Sequence, residues 1–182
     1  KLVDGFTATM PDTPENQAEF PQQKSQKPGI GFPIMRACVI LSLATACVID
    51  AAFGPYAGKQ TGETALFRQI LASFQPGDVA VFDRYYGSYI MLALLMLGGI
   101  DACARLHQGR HADFRRGKRL GKYDRLVTWK RPTRPKWMDE AAYETIPKTL
   151  TLRMLRYNVV EAGCRTKSIT IVGERTTVSG RS

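Results

Sequence analysis

The chain has 182 residues, of which 26 are Lys or Arg and 16 are Asp or Glu, so its net charge is +10. With 44% hydrophobic and 23% charged residues, the composition excludes a disordered tail and indicates a globular protein of single-domain size. Its longest apolar runs, residues 37–49 and 89–100, are shorter than the roughly 20 residues that a membrane-spanning helix needs. We therefore expect a soluble core without a membrane partner. The four cysteines form no C-x-x-C pair, which favours buried reduced thiols in a cytoplasmic protein.

Hydrophobic patterning predicts strands in the first third of the chain. Residues 1–10 are rich in β-branched and aromatic side chains and stop at Pro11-Asp12-Thr13-Pro14, which predicts a strand and a turn. Residues 15–31 are polar and interrupted by proline and glycine, so we expect a long loop. Residues 34–53 predict two strands joined by a tight turn near Thr45.

Helices and strands then alternate along the chain. Apolar residues at four-residue steps predict an amphipathic helix over residues 62–74. The later predictions are a strand at 78–82, a helix at 88–97, and strands at 100–106, 125–130, 149–157 and 168–172. This order favours an α/β fold, with a mixed sheet and helices packed on its faces.

All of the net charge lies between Arg105 and Lys136. This stretch of 32 residues contains twelve basic and two acidic residues, and 14 of each balance in the rest of the chain. Tyr123, Trp129 and Trp137 lie in or beside it. Clustered cations with aromatic residues are typical of a surface that binds phosphates and stacks on unpaired bases. A solvated basic loop has the same composition, and the sequence leaves both readings open.

Two aspartates occupy unusual positions. Asp4 interrupts a predicted strand, where aspartate is disfavoured, and Asp83 directly follows the apolar strand D-V-A-V-F. Functional groups of open α/β sheets collect beyond the carboxyl ends of the strands, and converging carboxylates suit Mg²⁺ or Mn²⁺. A pair of such ions supports phosphodiester chemistry. Alternatively, Asp83 caps the following helix, and Asp4 lies on an exposed strand face.

Three segments resemble one family of proteins. L-V-D-G-F-T-A-T-M-P-D-T-P-E-N-Q (residues 2–17), G-K-Q-T-G-E (58–63) and G-D-V-A-V-F-D-R-Y-Y-G-S-Y (77–89) resemble bacterial insertion-sequence transposases of the DDE class, specifically the insertion-sequence-four family. The resemblance implies a ribonuclease-H-like fold in which the first and fourth strands are adjacent. It also implies that Asp4 and Asp83 are catalytic carboxylates that bind Mg²⁺ or Mn²⁺.

The resemblance further implies the partner and the reaction. Relatives bind transposon ends and target DNA, usually as a homodimer, and are associated with the bacterial nucleoid when bound to DNA. Metal-activated water cuts the DNA, and the freed 3′-hydroxyl attacks a target strand. The basic stretch corresponds to a β-rich insertion after the second catalytic Asp. The cations expected to contact DNA are Arg84, Arg110, Arg115, Arg116, Lys118, Arg119, Lys122, Arg125, Lys130 and Arg131.

The third carboxylate of the family has no counterpart in this sequence. Its pattern, Tyr-x2-Arg-x3-Glu-x6-Lys, is absent, and Glu161 and Glu174 lack that setting. We therefore expect a truncated fragment that is inactive alone, with a core at residues 1–106, a basic insertion at 107–172 and an unstructured tail at 173–182. Two alternatives are a non-catalytic DNA-binding remnant, and a ribonuclease-H-like nuclease that uses Glu161 or Glu174.

Overall fold

The computed structural model describes residues 1–27, 29–160, 163, 166 and 168–174. The chain forms two compact units, residues 1–74 and 75–182. Both units combine strands with helices, and the second contains parallel as well as antiparallel strand pairs. The predicted α/β class with mixed strand pairing is therefore confirmed.

Three antiparallel strands form the sheet of the first unit. They are β1 (Leu2–Thr9), β2 (Ile34–Leu41) and β3 (Val48–Pro55), in the order β3-β2-β1. The turn between β2 and β3 contains Thr45, as predicted, and the Ala46 N–H closes it on the Ser42 carbonyl at 2.8 Å. The sheet thus follows the β-branched pattern of the sequence.

One face of this sheet is covered by helix α2 (Glu63–Gln69), which packs on β2 and β3. Its Leu66 and Phe67 are fully buried. The predicted amphipathic helix over residues 62–74 is therefore present but shorter, because a single 3-10 turn (Leu71–Ser73) follows it. Burial of the apolar stripe is what places the helix on the sheet.

The loop predicted at residues 15–31 contains a helix, α1 (Pro14–Glu19), so that prediction is wrong in part. Thr13 caps α1 by accepting a hydrogen bond from the Asn16 N–H at 3.2 Å, and Pro14 fits its first turn. None of its residues is buried. Because α1 buries no side chain and relies on its cap, its sequence carries no apolar periodicity that would predict a helix.

The second unit begins with a parallel β-α-β arrangement. Strand β4 (Val79–Phe82) pairs in parallel with β5 (Asp101–Arg105), and helix α3 (Tyr89–Leu97) connects them. Six of the nine residues of α3 are buried. All three elements match their predicted ranges to within one or two residues, because each contains buried residues whose apolar pattern is visible in the sequence.

The remaining strands of this unit are antiparallel. They are β6 (Lys118–Gly121), β7 (Asp124–Lys130), β8 (Thr149–Asn158) and β9 (Ser168–Gly173), and the unit's order is β4-β5-β9-β8-β7-β6. Strand β6 and helix α4 (Glu140–Thr145) were not predicted. Neither contains a buried residue, so hydrophobic periodicity does not reveal them.

The predicted limits of core, insertion and tail, 1–106, 107–172 and 173–182, remain predictions. The compact units divide after Phe74, and β9 pairs with both β5 and β8. The predicted core and insertion therefore share one sheet in the second unit. Gly173 ends β9, Glu174 follows it, and the rest of the expected tail lies outside the described residues.

Within the described part of the chain, no helix could span a bilayer. The longest helix there, α3, has nine residues. A bilayer crossing takes roughly 20.

Truncation of a buried α3 residue should destabilise the second unit. Leu92 is 0% exposed, whereas Leu97 in the same helix is 53% exposed. We expect Leu92→Ala to lower the free energy of unfolding by about 2–5 kcal/mol, through lost burial and a residual cavity. Leu97→Ala, the matched control, should change it by less than about 1 kcal/mol. Urea denaturation followed by circular dichroism measures both, and equal losses would contradict the assigned core face.

Candidate carboxylate site and nucleic-acid interface

Asp4 lies on the exposed side of β1. Its neighbour Val3 is only 1% exposed, and side chains alternate along the strand, so Asp4 and the α2-covered residues are on opposite faces. The carboxylate accepts a hydrogen bond from the Gly5 N–H at 2.9 Å. It forms no ion pair with any residue that the structure describes. Asp4 is therefore free to accept an external cation.

Asp83 follows the carboxyl end of β4, as the sequence indicated. Its backbone carbonyl accepts the Tyr86 N–H at 3.2 Å in a tight turn, and its side chain is 60% exposed. The helix that follows is capped by Ser88, whose hydroxyl accepts the Met91 N–H at 3.3 Å. The helix-cap reading of Asp83 is therefore wrong. Its carboxylate faces solvent, with the Arg84 Nε at 3.9 Å.

Asp4 and Asp83 belong to different compact units, so their convergence stays a prediction. Among the described residues, no group of three or more His, Cys, Asp or Glu side chains could hold a metal ion. The donor chemistry of the two aspartates nonetheless suits a hard cation, because exposed carboxylate oxygens are the ligands that Mg²⁺ and Mn²⁺ prefer.

Glu174 cannot share a metal ion with Asp83. Gly173 pairs with Cys103, so Glu174 lies beside Ala102, at the amino-terminal edge of β5. Asp83 lies beyond Phe82, which pairs with Ala104. The separation is roughly 10 Å along the strands plus two strand spacings across them, which exceeds the reach of carboxylates on one ion. Glu161, the other candidate, lies outside the described residues.

Glu174 instead has a half-buried, structural setting. Its Oε2 accepts the Ala102 N–H at 2.8 Å, while its Oε1 is buried without a hydrogen-bond partner among the described residues. Burial, with a smaller contribution from the negative charge of Asp101, raises the pKa of this carboxyl to about 7. Glu174 is therefore largely protonated below neutral pH.

Most of the predicted DNA-contacting cations lie on β6, β7 and the adjoining loops of the second unit. In the loop before β6, Arg115 and Arg116 share the Asp113 carboxylate, at 2.9 and 3.4 Å, while their side chains remain 91% and 88% exposed. The exposed cations on the β6–β7 hairpin are Lys118, Arg119, Lys122 and Lys130. Together they form an open, positively charged surface.

Aromatic rings support several of these cations. The Arg110 guanidinium lies 3.8 Å from the centre of the Trp129 ring, and desolvation there lowers its pKa. Lys122 lies 5.4 Å from the Tyr123 ring, which packs edge-on against Phe114 at 5.8 Å. Stacking fixes the direction of these cations, so the surface is partly preorganised.

The loop of residues 107–117 lies close against β7. Gly117 has φ +85°, and a Cβ at this position would lie 2.1 Å from the Leu126 carbonyl oxygen. Only glycine allows the chain to approach the backbone of β7 this closely. Between the loop and β7 is a cavity of about 680 Å³, with His111 and Arg116 on one side and Trp129 on the other.

Arg131 and Arg125 donate hydrogen bonds to backbone carbonyls of the protein itself. The side chain of Arg131 is only 13% exposed, and it donates hydrogen bonds to the carbonyls of Tyr143 at 2.8 Å and Ile146 at 3.0 Å. Arg125 donates to the carbonyls of Gly121 and Asp124 in the β6–β7 turn. These contacts hold α4 and the hairpin in place.

Sequence reasoning missed two arginines on β8. Arg156 stacks 4.7 Å from the Phe114 ring centre, and Arg153 forms a bidentate pair with Asp124 at 3.0 and 2.6 Å. Both lie outside the basic stretch from Arg105 to Lys136. The pairing of β7 with β8 brings them to it.

No known protein-family model matches the chain. The chain is similar to the transposase InsG for insertion sequence element IS4 of Escherichia coli (strain K12), with 28% identity over 137 residues. The aligned segment covers 74% of this chain and 30% of that protein. This similarity supports a relationship to transposases.

Ionisation of Glu174 should make the fold less stable as the pH rises. Its pKa is about 7 in the fold against an ordinary value of 4.5, so the folded chain holds a proton that the unfolded chain releases. Stability from this group is full below about pH 4.5 and is lost as the pH rises through about 7.

We expect Glu174→Gln to remove most of the loss of stability between about pH 5 and pH 8. Urea midpoints at about pH 5 and pH 8 measure it, and Glu140→Gln, at an exposed site in α4, is the control. Identical pH dependence in wild type and Glu174→Gln would refute the assignment.

Proposed function

We propose that this chain is part of a transposase and binds DNA through its basic β-rich surface. The observation that carries the proposal is the similarity to the transposase of Escherichia coli, together with the concentration of charge on β6, β7 and the loop before them. The chain spans about 30% of the length of that relative, so the reaction of a whole transposase is itself part of the proposal.

The basic surface supplies the DNA contacts. Arg110, Arg115, Arg116, Lys118, Arg119, Lys122 and Lys130 are exposed, and their spread over a hairpin and a loop suits the phosphates of a duplex. Arg84, beside Asp83, is the predicted cation nearest to a catalytic carboxylate. Arg125 and Arg131 contribute indirectly, by holding the hairpin and the following helix.

Asp4 and Asp83 are the proposed catalytic carboxylates, with Mg²⁺ or Mn²⁺ as the metal. The family resemblance supports this role, and so does the exposure of both side chains. When bound, the metal would activate water and stabilise the leaving oxygen of a phosphodiester. The ribonuclease-H-like fold, the pairing of transposon ends and the homodimeric assembly belong to the same proposal.

The chain alone should bind DNA without completing strand transfer. The Tyr-Arg-Glu pattern of the third carboxylate is absent from the sequence, and Glu174 is at the wrong edge of its sheet. An incomplete carboxylate set holds metal weakly.

The alternative of a non-catalytic DNA-binding remnant is favoured by one observation. Arg84 lies 3.9 Å from Asp83 and competes with a metal for the carboxylate. Metal binding separates the two candidates.

Neutralising two exposed lysines should weaken DNA binding. We expect Lys118→Ala/Lys122→Ala to lower the affinity and to reduce the slope of log K against log salt by about 1.8, since each phosphate contact contributes about 0.9. Fluorescence anisotropy with a labelled duplex at several salt concentrations measures both quantities. The control, Lys59→Ala/Lys148→Ala, removes the same charge at exposed sites outside the surface. Equal slopes for the two pairs would refute the interface.

Removing either proposed metal ligand should weaken Mn²⁺ binding. We expect Asp4→Asn and Asp83→Asn each to reduce the affinity about tenfold or more, because even loss of a residue that merely supports a ligand costs that much. Electron paramagnetic resonance of free Mn²⁺ measures the change. Asp139→Asn is the control, since asparagine preserves the cap of α4.

Unchanged Mn²⁺ affinity in both variants would favour the non-catalytic alternative. Cleavage of transposon ends by residues 1–182, lost on Asp83→Ala, would instead overturn the proposal that the chain is incomplete as a catalyst.

A further inference from the structure

A loop of the first unit displays two large apolar side chains. In the segment from Phe20 to Pro33, described except for residue 28, Ile30 is 72% and Phe32 57% exposed. They alternate with Gly31 and Pro33, which are buried. Two such residues within three positions form a small exposed apolar patch on this loop.

Glutamine side chains hold this loop in one shape. The Gln22 Oε1 accepts the N–H groups of Gly29 and Gly31, both at 3.2 Å, and its Nε2 donates to the Lys27 carbonyl at 2.9 Å. Gln17 Nε2 donates to the Gly31 carbonyl at 2.9 Å. The apolar pair is therefore presented by a preformed loop, which lowers the entropic cost of binding.

The loop also has positive charge and available amides. The sequence contains no Asp or Glu between Phe20 and Ile49, and Lys24 and Lys27 are exposed without an ion pair to any described residue. Gln23 and Gln26 line a cavity of about 530 Å³ beside them. Asp12, at the edge of the cavity, accepts a hydrogen bond from Gln17 at 2.7 Å.

We propose that this loop docks in the minor groove of duplex DNA, an inference that rests on the proposed transposase function and extends it to the first unit. Lysine and glutamine suit the acceptor pattern of A·T pairs in the minor groove, and phenylalanine and isoleucine suit insertion against a base step. The lysines favour DNA over a protein partner, because an apolar protein contact would not require unpaired cations and free amides. The loop thus forms a second DNA contact, separate in sequence from the basic surface.

The test uses the complete 182-residue chain and two short duplexes, one A·T-rich and one G·C-rich at the centre. In the variant Ile30→Ser/Phe32→Ser, both sites are exposed, so folding is retained and is checked by thermal melting. The control, Leu43→Ser, changes a 65% exposed residue in the β2–β3 turn of the same unit.

We expect the double variant to bind the A·T-rich duplex about tenfold more weakly, through loss of the wedge contact, and the control to bind like wild type. Netropsin, which occupies the minor groove, should displace wild type more readily than the double variant. Wild type should also raise the fluorescence of a 2-aminopurine at the duplex centre, which reports unstacking, and the double variant should not.

Three outcomes would overturn the inference. Unchanged affinity of the double variant, while Lys118→Ala/Lys122→Ala still weakens binding, leaves the proposed function intact and shows that the apolar pair does not contact DNA. Equal losses in Leu43→Ser and the double variant show that the effect is not specific to the loop. If the wild-type chain binds neither duplex, the proposed function fails together with the inference.

Discussion

The second unit depends on the pairing of β9 with β5 on one side and with β8 on the other. Gly173 lies at this junction and pairs with both Cys103 and Arg153. A Cβ on Gly173 would lie 2.1 Å from the Ala102 carbonyl oxygen, so a side chain there would force the strands apart. Without this junction, the β-α-β arrangement that contains Asp83 and the basic hairpin would not share a sheet.

This shared sheet gives the basic residues unequal roles. Arg131 donates hydrogen bonds to carbonyls at the end of α4, and Arg153 pairs with Asp124. Arg115 and Arg116, in contrast, keep most of their surface in solvent. The ring of Trp129 lies 3.8 Å from the Arg110 guanidinium and supports it. The net charge of the stretch therefore overstates the number of cations that are available to a phosphate, and geometry decides which ones are.

The carboxylates show the same dependence on context. Ser88 caps α3 and leaves Asp83 in solvent, while the alternation along β1 directs Asp4 away from the buried face. Glu174, another carboxylate, is half-buried beside Ala102 and holds its proton to about neutral pH. An acidic residue near the end of a strand is thus a candidate metal ligand only when it lies at the same edge of the sheet as the other proposed ligands.

By itself the sequence determined the α/β class and most strands and helices, because burial imposes a periodic apolar pattern on those elements. It also placed Asp4 within a strand and Asp83 directly after one. It did not reveal α1, α4 or β6, which lack buried residues. Only the tertiary structure decided which cations are exposed and where Glu174 lies. The reason is that a charge is paired through space: Arg153 meets Asp124 across 29 residues of chain, and no local pattern encodes that contact.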